Sequence, residues 1–131
     1  MDFLASLADG GASRRERLAR VAAASHERGA RLLERLWNGL VATDGVTLYG
    51  PPPDAPRTPT VSFVVRGRTS DEVAKALADR AVFVSNGDFY ATTVVRRLGH
   101  EKDGLVRAGC ACYTTAEEVD RLVEGVRSLT A

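Results

Sequence analysis

Leu105-Val106-Arg107-Ala108-Gly109-Cys110-Ala111-Cys112-Tyr113-Thr114-Thr115-Ala116-Glu117-Glu118-Val119-Asp120 joins two kinds of structure in one short run. Residues 105–112 are small and apolar around a single arginine, the composition of a strand that packs on a neighbour. Thr114-Thr115-Ala116-Glu117-Glu118 then opens a helix, with hydroxyls ahead of glutamates where amides lack partners. Val119, Leu122, Val123, Val126 and Leu129 follow at steps of three and four on one face. A strand that runs straight into a one-sided helix predicts a sheet backed by helices.

Working outward toward the N-terminus, residues 100–104 make a polar loop and residues 92–98 one or two helical turns closed by Gly99. Asn86-Gly87-Asp88-Phe89-Tyr90-Ala91 is turn-rich, and Asn-Gly suits a hairpin turn, yet the segment ends in two aromatics. These aromatics are expected half in the core and half in a site wall. Residues 81–85 are expected as a strand. Thr69-Ser70-Asp71-Glu72 is a capping box opening a helix that carries Val73, Ala76 and Leu77. Residues 60–65 alternate into a strand ended by Gly67, and residues 46–49 form a short strand after the Asp44-Gly45 turn. Residues 51–56 hold four of the five prolines, so they fit neither a helix nor a central strand.

Ser13-Arg14-Arg15-Glu16 is another capping box and begins a helix near 14–42. Leu18, Val21, Ala22, Ser25, Gly29, Leu32, Leu33, Leu36 and Leu40 form its apolar stripe, long enough to brace two bodies. Phe3, Leu4 and Leu7 share helical spacing, so residues 1–12 are expected as the remnant of a preceding helix ending at Asp9-Gly10-Gly11. Residues 13–131 are then one small domain, with the long helix followed by a layer over 46–130. The class is α+β: a mostly antiparallel sheet of three or four strands with helices on one face.

A 44% apolar and 27% charged composition excludes a disordered chain. With a formal net charge of +1, no global field recruits nucleic acid or an anionic membrane. No stretch approaches the roughly 20 apolar residues of a membrane span. The start of the chain lacks a secretory pattern, and two cysteines make no disulfide framework, so a cytoplasmic location is expected. Cys110 and Cys112 would share one strand face as buried small hydrophobes, and His26 and His100 lack a spacing that would add them to a metal site. Neither histidine is given a role. The arginines of the long helix alternate with Glu16, Glu27 and Glu34, which describes a solvated face. An RNA-binding sheet would show paired aromatics, whereas the two central strands offer only Phe63.

Residues 106–120 resemble the C-terminal signature of class-V aminotransferase and cysteine-desulfurase-like proteins, where an arginine-bearing strand leads into Tyr-Asn-Thr and Glu-Glu-(Val/Ile)-Asp. Arg57-Thr58-Pro59-Thr60-Val61-Ser62-Phe63 is similar to the first central strand of the same small domain, and residues 86–91 stand where the family carries its active-site loop. The resemblance implies pyridoxal-phosphate fold type I. A large domain, in cis or in trans, would hold the cofactor, this domain would close over an amino-acid substrate, and a homodimer would share active sites. The family's α-carboxylate arginine falls on Arg107, and a guanidinium offers a carboxylate two parallel donors. Without the resemblance, Arg107 would be an edge arginine with its head in water. Asn86, Phe89 and Tyr90 are the candidate substrate-binding residues of the loop.

Two departures from the family pattern bear on chemistry. Residues 85–91 contain no cysteine, so desulfuration through a loop persulfide is not expected, and Tyr113-Thr114-Thr115 keeps the helix cap without the asparagine. The only lysines are Lys75, on the polar side of a short helix, and Lys102, in a charged loop. Neither suits a cofactor-binding lysine, so this chain alone is expected to bind no pyridoxal phosphate and to be inactive. The alternative is a stand-alone, non-catalytic dimerisation or partner-binding module, whose partner would cover the apolar stripe of the long helix.

Overall fold

The computed structural model describes residues 2–9 and 13–130. Along them run α1 (Asp2–Ser6), α2 (Arg14–Val41), β1 (Val46–Tyr49), β2 (Thr60–Val65), α3 (Ser70–Ala78), β3 (Ser85–Gly87), α4 (Thr92–Arg97), β4 (Leu105–Gly109) and α5 (Ala116–Arg127). The strands form one antiparallel sheet in the order β1-β2-β4-β3. The α+β class with a long helix near the N-terminus is therefore correct.

Local chemistry sets the helix starts. Ser13 with Glu16, Thr69 with Glu72 and Thr115 with Glu118 each form a reciprocal capping box, so α2, α3 and α5 begin where hydroxyls meet their orphan amides. Alternation sets the sheet's two faces: Val61, Phe63 and Val65 of β2 are buried, while Thr60, Ser62 and Val64 are only partly covered. Against the buried face pack Leu33, Leu36 and Leu40 of α2, Val73 and Leu77 of α3, and Val119, Val123 and Val126 of α5. Each such side chain contributes roughly 1.5–3 kcal/mol on burial, so this layer dominates the stability.

Three expectations are corrected. Residues 81–85 are not a strand. Ala81 takes a left-handed conformation (φ 57°), and the Val82 amide returns to the Leu77 carbonyl at 3.0 Å, closing the end of α3. Val82 is thus buried by a helix-ending turn, Phe83 stands exposed, and pairing starts only at Ser85. Secondly, β4 stops at Gly109. The Cys110 amide donates to the Pro59 carbonyl, and a turn follows in which the Ala111 amide donates to Thr114 Oγ1. Cys110 is half-buried and Cys112 exposed, so the two do not share a strand face and only the first is partly shielded. Thirdly, the α2 stripe is buried only from Gly29 onward, while Ala22 and Ser25 are exposed. The expected stop at Asp9-Gly10-Gly11 lies partly outside the described residues. Among the described residues, no helix is long and apolar enough to cross a membrane.

Candidate functional site

With α2, α3 and α5 gathered on one face, the opposite face of the sheet is left for other groups. The strand register sets one row across it: Tyr49 of β1 opposite Ser62 of β2, Ser62 opposite Arg107 of β4, and Arg107 opposite Ser85 of β3. The row is polar from edge to edge. Arg107 is its one cation, placed there because Val106 and Ala108, its neighbours in β4, turn into the core.

Arg107 is exposed, and no carboxylate among the described residues pairs with it. Its guanidinium carbon lies 4.1 Å from the centre of the Phe89 ring, a cation–π contact. Other arginines are engaged otherwise. Arg35 makes two 2.6 Å bonds to Asp120 across α2 and α5, and Arg28 donates to the Thr114 carbonyl. Arg57 lies over Trp37 and donates to the carbonyls of Pro51 and Thr60, fastening the proline-rich connection.

Phe89 reaches Arg107 through an unusual backbone. Phe89 and Tyr90 are consecutive non-glycine residues at φ 54° and 61°, a conformation costing roughly 1–2 kcal/mol each. Asp88 holds the turn, with its carboxylate accepting from the Tyr90 amide at 3.1 Å and its carbonyl from the Ala91 amide at 2.8 Å. Phe89 is half-buried beside Arg107 and Tyr90 is fully exposed, and neither belongs to the hydrophobic core, which corrects the expectation that they stand half in it. Asn86 pairs with Val106, one register position off the Arg107 row, and so shares the parity of the core-facing residues. Of the four candidates, the fold brings Arg107 and Phe89 into contact, leaves Tyr90 at the rim, and sets Asn86 apart.

His100, which received no role from the sequence, lies on this face. Its Nε2 is 2.6 Å from Tyr49 Oη, with the rings edge-on at 5.4 Å. Nothing in the spacing links a strand-end tyrosine to a loop histidine that far along the chain.

The thiols and lysines have other surroundings. Burial pushes the Cys110 thiol up from its ordinary value, which disfavours the thiolate a nucleophile requires. A groove of about 370 Å³ lined by Val82, Phe83, Cys110, Tyr113 and Glu118 opens by the start of α5 and does not include Arg107. Lys75 Nζ sits 2.6 Å from Asp71 on an exposed helix, and Asp71 raises its pKa. A lysine that bonds a cofactor aldehyde must give up its proton, so Lys75 does not fit that task. Lys102 is exposed in the loop before β4. Neither lysine therefore has the surroundings of a cofactor anchor.

Taken together, these features define a small α+β domain whose open sheet face presents one steadied guanidinium. The family model described as aminotransferase class V matches residues 18–122, and the chain belongs to that family. Among curated relatives, the aminotransferase-like protein FGM3 of Gibberella zeae is 38% identical over 106 residues, covering 78% of this chain and 26% of its own length. The protein named probable cysteine desulfurase 2 of Mycobacterium leprae is 38% identical over 102 residues, covering 78% and 23%. Among solved structures, the apo cysteine desulfurase of Thermococcus onnurineus NA1 superposes with a TM-score of 0.77 at 30% identity, over 89% of this chain and 29% of that one. The Escherichia coli cysteine desulfurase CsdA, at 19% identity and a TM-score of 0.69, shares the fold. The chain thus spans about a quarter of the length of the first two curated relatives.

Proposed function

We propose that this chain is the substrate-closing domain of a pyridoxal-phosphate-dependent enzyme of the class-V aminotransferase and cysteine-desulfurase-like type, acting on an amino acid. Arg107 receives the α-carboxylate. The observation that carries this reading is an exposed guanidinium with no carboxylate partner among the described residues, steadied by Phe89 in the middle of a polar row. Two parallel donors fix a carboxylate in one plane, which orients the rest of the amino acid. Tyr90 stands at the rim of this site as a further candidate, while Asn86 belongs to the opposite parity of the sheet.

Pyridoxal phosphate, when bound, supplies the electron sink for the bond-breaking step, and a large domain in cis or in trans holds it. This chain's own lysines take no part, so the isolated chain is inactive. A cytoplasmic homodimer is the assembly proposed for the whole enzyme. Sulfur removal by a loop thiol is not supported, because residues 85–91 hold no cysteine and Cys110 is shielded.

The test is a chimera in which this chain replaces the matching segment of the Thermococcus onnurineus enzyme, read by the change in cofactor absorbance as an amino acid binds. A charge-assisted pair contributes about 1.5–3 kcal/mol, so Arg107→Ala should raise the half-saturating concentration by roughly 10- to 100-fold, with Arg107→Lys in between. Unchanged binding by Arg107→Ala would overturn the reading. Pyridoxal phosphate added to the isolated chain should give no stoichiometric lysine-bound band.

A second reading, a non-catalytic dimerisation or partner-binding module, draws on the exposure of Phe3, Leu4 and Leu7. A clean monomer on size-exclusion chromatography counts against it.

A further inference from the structure

The segment between β3 and β4 leaves one edge of the sheet and is tied to the other. It begins at Asp88 and Phe89, beside Arg107, passes through α4, and is fastened by His100 to Tyr49 of β1, the opposite edge strand. Val95 and Leu105 are buried yet stand outside the main core cluster, and Leu105 shares the Arg107 parity of β4. The segment is therefore a strap over part of the open face, with Leu105 covered and Arg107, two residues on, left accessible.

The strap has a second fastening at its return. The Gly104 amide donates to the His100 carbonyl at 2.8 Å, and Ser70 of α3 donates through both Oγ (2.6 Å) and its amide to the Asp103 carbonyl. Gly104 lies so close to Gly87 that a Cβ on it would come 2.8 Å from the Gly87 Cα. Gly87 in turn is two residues from Phe89. The contacts run from Tyr49 through His100 and Gly104 to Gly87 and stop two residues before Phe89, whose ring covers the Arg107 guanidinium.

We infer that His100 is a positioning residue: its bond to Tyr49 holds the strap so that Phe89 stays over Arg107 and fixes the guanidinium plane. The consequence for catalysis rests on the reading of Arg107 as the carboxylate holder, whereas the positioning itself does not. Neither His100 nor Tyr49 touches substrate in this scheme.

The experiment uses the full 131-residue chain and proton NMR of the Arg107 δ-methylene, which the Phe89 ring current moves upfield. Phe89→Leu defines the shift with no ring. His100→Ala and Tyr49→Phe should each lose at least half of the ring-current shift, and His100→Gln, whose amide can both donate to and accept from the tyrosine hydroxyl, should retain it. Tyr49→Phe preserves packing, so it remains informative if His100→Ala unfolds. Full retention of the shift in Tyr49→Phe overturns the inference. Acetate titration reads the function separately: if acetate leaves the wild-type Arg107 signal unmoved, the carboxylate reading falls while the ring-current comparison still decides the positioning.

Discussion

Gly104→Ala should be among the most damaging single-methyl additions in this chain, and Gly67→Ala gives its control. Both glycines sit at positive φ, +67° and +75°, where an alanine costs roughly 1–2 kcal/mol. Part of that is offset because alanine also restricts the unfolded chain, by about 0.4–1 kcal/mol. A Cβ on Gly67 would meet no described atom within 4 Å beyond its chain neighbours, so its substitution should cost only the remaining conformational difference, about 1 kcal/mol. At Gly104 the new Cβ would meet the Cα, carbonyl carbon and oxygen of Gly87 at 2.8, 3.0 and 3.0 Å. These are backbone atoms held in the sheet by the Gly87–Leu105 pairing, so they cannot swing aside. Overpacking of this kind adds about 1–3 kcal/mol, for a total near 2–4 kcal/mol. Equilibrium urea unfolding followed by the fluorescence of Trp37, the one tryptophan, measures both variants. With a slope of ~1.5 kcal/mol per molar urea, Gly104→Ala should lower the midpoint by ~1–3 M. Equal losses in the two variants would refute the close approach and, with it, the route from the strap to Phe89.

Four further outcomes are expected. Phe63→Ala, at a side chain with 0% exposure in the centre of the sheet, should cost about 3–5 kcal/mol in the same unfolding assay. Thr115→Ala should lose about 1 kcal/mol with the cap of α5, while Thr115→Ser keeps it. Arg35 holds the Asp120 carboxyl below its ordinary range, first by hydrogen bonding and then by charge. That stabilisation is present above the unfolded carboxyl's pKa and is lost as pH falls through the folded value. Wild type and Asp120→Asn should therefore converge in urea midpoint on acidification, and added salt should narrow their gap because both groups are about half exposed. Arg107→Ala should leave the stability of the isolated chain nearly unchanged, within about 0.5 kcal/mol, since the side chain is exposed and holds no ion pair among the described residues; a large drop in calorimetry would make Arg107 structural instead.

What the sequence disclosed follows the range of the interactions concerned. The starts of α2, α3 and α5 were legible because a capping box is closed by residues three apart, and β2 because alternation is a property of neighbours. Arg107 was legible as the one charge in an apolar strand, its candidate role came only with the family resemblance, and its place between Ser62 and Ser85 emerged from the strand pairing. The errors came where burial has a non-local source. Val82 resembles a strand residue because it is apolar, but a left-handed Ala81 buries it; Leu18 to Ser25 continue a stripe that no described segment covers fully. The half of α2 from Gly29 onward satisfies its stripe within the domain, and the half before it is covered only in part, with α1 packed on α2, leaving the remainder to the proposed large domain. His100 was beyond reach for a different reason. Its partner is a hydroxyl at the far edge of the sheet, and only the order β1-β2-β4-β3, with the strap drawn across it, brings the two within 2.6 Å. A role that arises from strand order leaves no periodic trace, so such residues are found by asking what crosses an open sheet face and where it is tied down.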